Sequence, residues 1–212
     1  MSVWNDNIMP RNTSDSRRRL LDATAELLWE CGVSGTTPRA VWERSGVGQG
    51  SYYHHFSSKT ALARAALEEV VERSLRQAMA DLDAPGPALP ALQAYLLRPR
   101  DEVKGCKIGR HASDHAVTSK PELSEPLQHY FTELHAVVAR ALQQASEQGY
   151  DAGNADDLAD TVVATIQGGY VLARATGEEA PMQRAVRGLV HLLNTATSSG
   201  AQGAAARTAP TH

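Results

Sequence analysis

Between residues 49 and 55 the chain reads Gln-Gly-Ser-Tyr-Tyr-His-His, a run of hydroxyl, amide and imidazole side chains around one glycine. Such groups reach phosphate oxygens and base edges, and the small Gly50 and Ser51 let the start of a helix approach a major groove closely. A second chemical cluster lies in KGCKIGRHASDHAVT, residues 104–118, where Cys106 sits between Lys104 and Lys107 and His111 and His115 stand four residues apart with Asp114 beside them. A cysteine with basic neighbours before a short helix is a setting for oxidant or electrophile sensing, although a buried structural thiol is the commoner outcome. Two histidines one helical turn apart, on one face, can hold a metal, but a tight site needs a third and fourth ligand that this segment does not offer. The blander reading, a partly buried polar face, is the better one, and no metal is expected.

The elements that must position the first cluster are short. Thr36 or Thr37 is an N-cap, Pro38 occupies the first helical position where its missing N–H costs nothing, and the run stops at Gly46. Ala40, Val41 and the stem of Arg44 form its inward face. After the turn Ser45-Gly46-Val47-Gly48 a second helix, about Gln49 to Phe56, is too short and too polar to stand alone and must be held by neighbours. Two such helices around a glycine turn are the outline of a DNA-binding helix-turn-helix.

The run GVGQGSYYHHFSSKTAL resembles the signature of TetR-family transcriptional regulators, and the likeness spans roughly the first third of the chain. The resemblance implies that Tyr53 and His54 touch the DNA backbone, with Lys59 doing so from the start of the next helix and Ser58 capping that helix. Thr37 looks like a further phosphate contact at a helix N-terminus. Base reading is implied for Gln49, Gly50, Ser51 and Tyr52, with Arg39 added from the preceding helix. Tyr52 and Phe56 have an alternative as core aromatics and Lys59 as a solvated charge; the core role is taken for Phe56. Gly48 departs from the family's usual serine or threonine N-cap, at a cost of about 0.5 to 1 kcal/mol at most.

The 212 residues, 42% of them hydrophobic, are enough for one or two domains with a sizeable core. The net charge of −3 does not favour nucleic acid as a whole, but its distribution does. Arg11, Arg17, Arg18 and Arg19 cluster near the N-terminus, and acids gather at 68–72 and 151–160. Residues 17–19 either follow DNA or are simply solvated. Two cysteines far apart, Cys31 and Cys106, make no disulfide framework and fit a reducing cytoplasm. The N-terminus lacks the apolar core of a signal peptide, and no stretch approaches the roughly 20 apolar residues of a membrane span.

Around the head, helix one starts at Ser14 or Ser16, carries Leu20, Ala23, Thr24, Leu27, Leu28 and Cys31 at helical spacing, and ends at Gly32. A long helix from Ser58 to about Leu82 keeps one apolar stripe and connects the head to a second unit. The proline-rich DAPGPALPA stops it, and a short helix follows over about 88–97. A helix over about 121–148, another capped by Asn154 or Asp156 and carrying Leu158 to Ala173, and one after Pro181 complete an all-α chain. Gly168 and Gly169 inside a helix each cost about 1 kcal/mol, which a close helix approach would offset. The expected organisation is a three-helix head with a basic arm over 1–57, a helical ligand-binding and dimerisation domain over 58–198, and a disordered tail over 199–212.

These readings lead to a ligand-responsive repressor that binds a palindromic operator as a homodimer in the cytoplasm. The family resemblance implies dimerisation through the last two helices, and a small molecule among the helices from the fourth to the eighth would alter the spacing of the two heads. Candidate effector contacts are Cys106, His111, His115, Leu127, Tyr130, Phe131, Leu134, Ile166 and Tyr170. A mostly apolar or aromatic effector is expected, with Arg110, His111 and Arg174 able to meet an anion. Thiol sensing through Cys106 and constitutive DNA binding are the alternatives. An enzyme finds no support, because there is no nucleophile elbow, metal-ligand quartet, phosphate-cradling glycine loop or usefully paired carboxylates. No catalytic residue and no cofactor is expected.

Overall fold

The computed structural model describes residues 13–150 and 153–206. Its first helix, α1 (Thr13–Gly35), turns sharply at Gly32, where φ is 73° and ψ −179°, so the continuous part stops at the glycine expected to end it. A left-handed φ there suits only a residue without a Cβ. Leu20, Leu21, Leu27 and Leu28 form its buried face.

α2 (Pro38–Ser45) starts on Thr37, whose hydroxyl accepts from the Ala40 N–H at 3.1 Å, and stops at Gly46 in the left-handed conformation. α3 (Gln49–His55) starts on Gly48 with no side-chain cap and ends one residue before Phe56. Val41, Val47, Tyr52 and Phe56 plug the space against Leu20, Leu28 and Leu62. This seven-residue polar helix is thus held by tertiary packing, as its length requires. α4 (Lys59–Leu82) is capped by Ser58, which accepts from the Ala61 N–H at 3.0 Å.

The second unit comprises α5 (Ala88–Leu97), a 3-10 turn at Gly109–Ser113, α6 (His115–Thr118), α7 (Pro121–Glu147), α8 (Ala155–Thr176) and α9 (Ala180–Ala206). α4 packs along α7, α7 on α8 and α8 on α9, while α1 leans on α4. The apolar cluster is continuous from head to second unit by way of α4. At Gly169 α9 packs tightly on α8 through Met182. A Cβ built there would lie 2.6 Å from Met182 Sδ and 3.4 Å from its Cα, so the expected close approach is real at this glycine. Gly168 faces outward with nothing within 4 Å.

Two sequence expectations differ from the fold. His111 and His115 do not share a helical face: Asp114 is extended (φ −82°, ψ 110°), ends the 3-10 turn and caps α6, so the helix that would align them is broken between them. The backbone of α9 is helical to Ala206, beyond residue 199 where the tail was expected to start, in keeping with the high helix propensity of its alanines. Residues 207–212, the N-terminal stretch with Trp4 and Arg11, and Asp151 lie outside the described residues.

Candidate nucleic-acid interface and effector cavity

On α3 the four-residue spacing divides the side chains cleanly. Gln49, Gly50, Tyr53 and His54 face outward, and Tyr53 is 54% exposed. A Cβ at Gly50 would meet nothing within 4 Å, so the start of the helix is open to a close approach. Ser51 is half-buried. Tyr52, expected among the base readers, points the other way. It is 1% exposed, and its ring meets Trp42 edge-on at 5.8 Å and Tyr53 at 5.0 Å. With Phe56 four residues on, it forms the inward stripe that a short polar helix needs to be anchored, and this corrects the reading of Tyr52 as a base contact.

The remaining expected contacts lie at helix starts or on exposed faces. Thr37 is exposed at the N-terminus of α2, its hydroxyl oxygen accepting the capping bond and its proton donated to no group among the described residues. Arg39 is largely solvent-exposed and pairs with Glu43 at 2.8 Å, a surface pair weak enough to be exchanged for a phosphate. Lys59 opens α4, half-buried. The basic residues of α1 do separate jobs. Arg19 donates to the Ser45 carbonyl at 2.5 Å and so caps the C-terminus of α2, while the Arg17 guanidinium lies 5.6 Å over Phe56. Beside it, burial and the charges of His54 and Arg17 push the His55 imidazole below its ordinary value.

The head is fastened to the second unit at two points. The Trp29 indole N–H donates to the Gly105 carbonyl at 2.9 Å, and the ammonium groups of Lys104 and Lys107 stand 3.7 and 4.3 Å from the indole centre. Both lysines also reach Glu26, at 3.6 and 3.5 Å. Below the Gly32 turn, Asp114 uses one oxygen to accept from the Val33 N–H at 3.2 Å and the other to cap Ala116 at 2.9 Å. Segment 104–114 is therefore tied to α1 at both ends.

That same segment walls two cavities. One, of about 680 Å³, lies between residues 105–113, Phe131 of α7 and the Gln167 to Ala175 stretch of α8. The other, of about 590 Å³, lies between Trp29, α4 from Arg73 to Asp81, residues 98–101 and 105–108, Tyr130 and Tyr170. Gly105, Cys106 and Tyr170 border both. Each is of a size that takes a small organic molecule. The Cys106 sulfur accepts from the Gly109 N–H at 3.2 Å and from the Gln167 amide at 3.7 Å. Burial pushes the Tyr130 hydroxyl well up and the Tyr170 hydroxyl up to about 12, so both stay protonated donors at neutral pH.

Comparison with known proteins accounts for both halves. Residues 20–66 match the bacterial regulatory proteins of the tetR family, and residues 91–188 match the C-terminal domain of LmrA/YxaF-like transcriptional regulators. The chain belongs to the TetR family. It is 26% identical over 141 residues to the uncharacterized helix-turn-helix regulator YvdT of Bacillus subtilis, covering 63% of this chain and 71% of that one. It is 25% identical over 177 residues to the repressor DhaR of a Mycobacterium species, covering 79% and 87%. The solved structure of a TetR regulator from Chloroflexus aurantiacus superposes with a TM-score of 0.73 at 27% identity, over 87% of this chain and 97% of that one. The protein is a DNA-binding transcriptional regulator, and its relatives are regulators too.

Of the effector residues expected in this TetR-family chain, Cys106, Phe131 and Tyr170 border the larger cavity, and Cys106, Tyr130 and Tyr170 the smaller. Leu127, Leu134 and Ile166 are buried in the core and line neither. His115 is exposed on α6. His111 is 1% exposed, and neither ring nitrogen has a partner. Among the described residues no three His, Cys, Asp or Glu side chains converge on a metal position, and no helix is long and apolar enough to cross a membrane. Trp29 and Asp114 were not expected to fasten the head, and Arg19, weighed as a DNA-following or solvated residue, caps α2 instead. Only Asp114 carried a local signal, as a helix-start residue ahead of His115.

Proposed function

We propose that this regulator is a cytoplasmic, ligand-responsive repressor that binds a palindromic operator as a homodimer and is released by a small molecule held in its C-terminal helical domain. The observation that carries the ligand response is the double fastening of segment 104–114. It walls both cavities and holds α1 through Trp29 and Asp114. A ligand that prefers one placement of this segment biases the placement of the head, and coupling of about 1 to 3 kcal/mol changes DNA affinity by roughly 5 to 150-fold.

Dimerisation rests on an apolar face that the isolated chain leaves open. Ala164, Gly168, Val171, Leu172 and Ala175 follow helical spacing along α8 and are exposed, Val171 to 67%. On α9 Gly188 and Leu192 are exposed as well, Leu192 to 64%. A second copy covering this stripe would set two heads at successive grooves, roughly 34 Å apart. DNA contact is assigned to Thr37, Arg39, Gln49, Gly50, Ser51, Tyr53, His54 and Lys59.

A second reading, regulation through the Cys106 thiol, is favoured by one observation: its sulfur sits in the wall common to both cavities and accepts two hydrogen bonds. Mobility shifts of the purified full chain on the DNA upstream of its own gene, repeated with a panel of small aromatic compounds and with a thiol oxidant, test both readings. Salt-sensitive binding released by a compound supports the first, and release by the oxidant that disappears in Cys106→Ser supports the second. Binding that nothing in the panel releases counts for a constitutive DNA-binding protein.

A further inference from the structure

The two cavities differ in what their cations are doing. In the smaller one every cationic group is already engaged. Arg98 pairs with Asp81 at 2.6 Å, and Arg100 donates to the carbonyls of Tyr95, Leu96 and Arg98. Arg73 reaches Asp22 and Glu69, and Lys107 reaches Glu26. The larger cavity has Arg110 and Arg174 on its polar side, no carboxylate in its wall, and an apolar side of Phe131, Tyr170 and Val171. Arg174 spends one N–H on the Lys104 carbonyl at 3.1 Å. The half-buried Arg110 guanidinium makes no hydrogen bond or ion pair among the described residues. Burial first, and then the charge of Arg174, opposed by Cys31 and the Asp114 carboxylate, hold it below the usual guanidinium range. The half-buried Arg110 and the exposed Arg174 thus share a wall on which no carboxylate stands, Asp114 acting on Arg110 only through space, and a bound anion completes the arrangement.

We propose that the larger cavity binds an aromatic carboxylate, its charge held by the guanidinium groups of Arg110 and Arg174 and its ring laid against Phe131 and Tyr170. A planar carboxylate matches the guanidinium fork in a way that a neutral amide does not. One negative charge suits a site in which one of the two forks is already partly used. The proposal names the ligand class for the effector reading above and rests on that reading for its regulatory meaning. Arg110 lies in the 3-10 turn that runs directly into Asp114, the residue holding Val33. An anion that draws Arg110 toward Arg174 therefore pulls on the fastening of the head.

The test is calorimetric titration of the full chain with 1-naphthoate and with its neutral counterpart 1-naphthamide. The wild type, R110Q/R174Q and R110K/R174K are compared, with melting curves on each to establish folding. The expected result is a preference for the acid of about tenfold to a hundredfold, as charge-assisted hydrogen bonds confer. The preference should vanish in the glutamine variant and be partly kept in the lysine variant, which keeps charge but loses the fork. Equal affinity for acid and amide, a preference that survives in R110Q/R174Q, or no binding of 1-naphthoate overturns the site. The same mixtures are then read by fluorescence anisotropy against labelled DNA selected from a random pool. Charge-dependent binding of 1-naphthoate that leaves DNA affinity unchanged upholds the anion site and overturns the effector reading instead.

Discussion

The indole N–H of Trp29, near the end of α1, donates to the carbonyl oxygen of Gly105, 76 residues further along the chain, at 2.9 Å. The bond joins the head to the residue before Cys106, on the wall common to the two cavities. Linkage is reciprocal, so if a ligand in those cavities changes DNA affinity, DNA must change the environment of the cavity wall. In a Cys31→Ser background, DNA bound to the head is expected to alter the rate at which a maleimide labels Cys106. Trp29→Phe keeps most of the ring and loses the donor, for about 1 kcal/mol of stability, and the effect of DNA on labelling should shrink toward none. An undiminished effect in Trp29→Phe would place the coupling elsewhere.

Neighbouring tyrosines on α3 should behave oppositely. Tyr52→Ala empties a core position and is expected to cost about 3 to 5 kcal/mol in urea unfolding. Tyr52→Phe should be neutral or stabilising, because the buried Tyr52 hydroxyl has no partner, and DNA affinity should be kept. Tyr53→Ala should leave stability within about 0.5 kcal/mol and weaken binding to all sequences alike. Lys59→Ala should add a loss of about 0.9 in the slope of log affinity against log salt, and Gln49→Ala should change which bases are preferred. Loss of DNA binding in a well-folded Tyr52→Phe would return Tyr52 to the interface.

These two residues also mark how far the sequence can be read. Thr37, Pro38, Gly46 and Ser58 act on the backbone within three or four residues of themselves, so the ends of the head's helices are legible without knowledge of the rest of the chain. Tyr52 is ambiguous because a phenol serves equally well as a core plug or a polar contact, and only its four-residue spacing to Phe56 reveals which it is. The His111 to His115 spacing misleads because it presumes a continuous helix, which Asp114 interrupts. The Trp29 to Gly105 bond has no local signature at all. The cavities are likewise products of helix packing, although Cys106, Tyr130, Phe131 and Tyr170 could be nominated from their chemistry.

Buried His111 makes the fold acid-sensitive over a defined window. Burial first, and then the Arg110 charge, opposed by Asp114, lower its pKa from 6.5 to about 4. Above the unfolded value of about 6.5 both states hold the neutral ring and no stability depends on pH. Between about 6.5 and 4 the unfolded chain takes up a proton that the fold refuses, so stability falls with falling pH, by about 3 kcal/mol over the window. His111→Met removes the titration and both unpartnered nitrogens. It should be neutral or stabilising at pH 7, and its denaturation midpoint should fall less between pH 7 and 5 than that of the wild type. Parallel pH profiles would show that His111 finds a partner in solution.

The adjacent glycines of α8 separate packing within the chain from packing between chains. At Gly169 a methyl group would press on Met182 of α9, 2.6 Å from its sulfur, and the nearby Met182 Cα limits how far the side chain can retreat. Gly169→Ala is therefore expected to lose about 1 to 3 kcal/mol from strain, less whatever the better helix propensity returns. At Gly168 the space is open within one chain, so Gly168→Ala should stabilise an isolated chain by up to about 1 kcal/mol. The same methyl group would stand in the middle of the exposed stripe of Val171, Leu172 and Leu192, where a second copy is proposed to pack. Sedimentation across a dilution series should then show Gly168→Ala dissociating at higher concentration than the wild type, while Gly169→Ala, where folded, keeps its dimer. A Gly168→Ala protein that is more stable and equally dimeric would move the subunit contact off this face, because a closely packed helical seam has no room for the extra carbon.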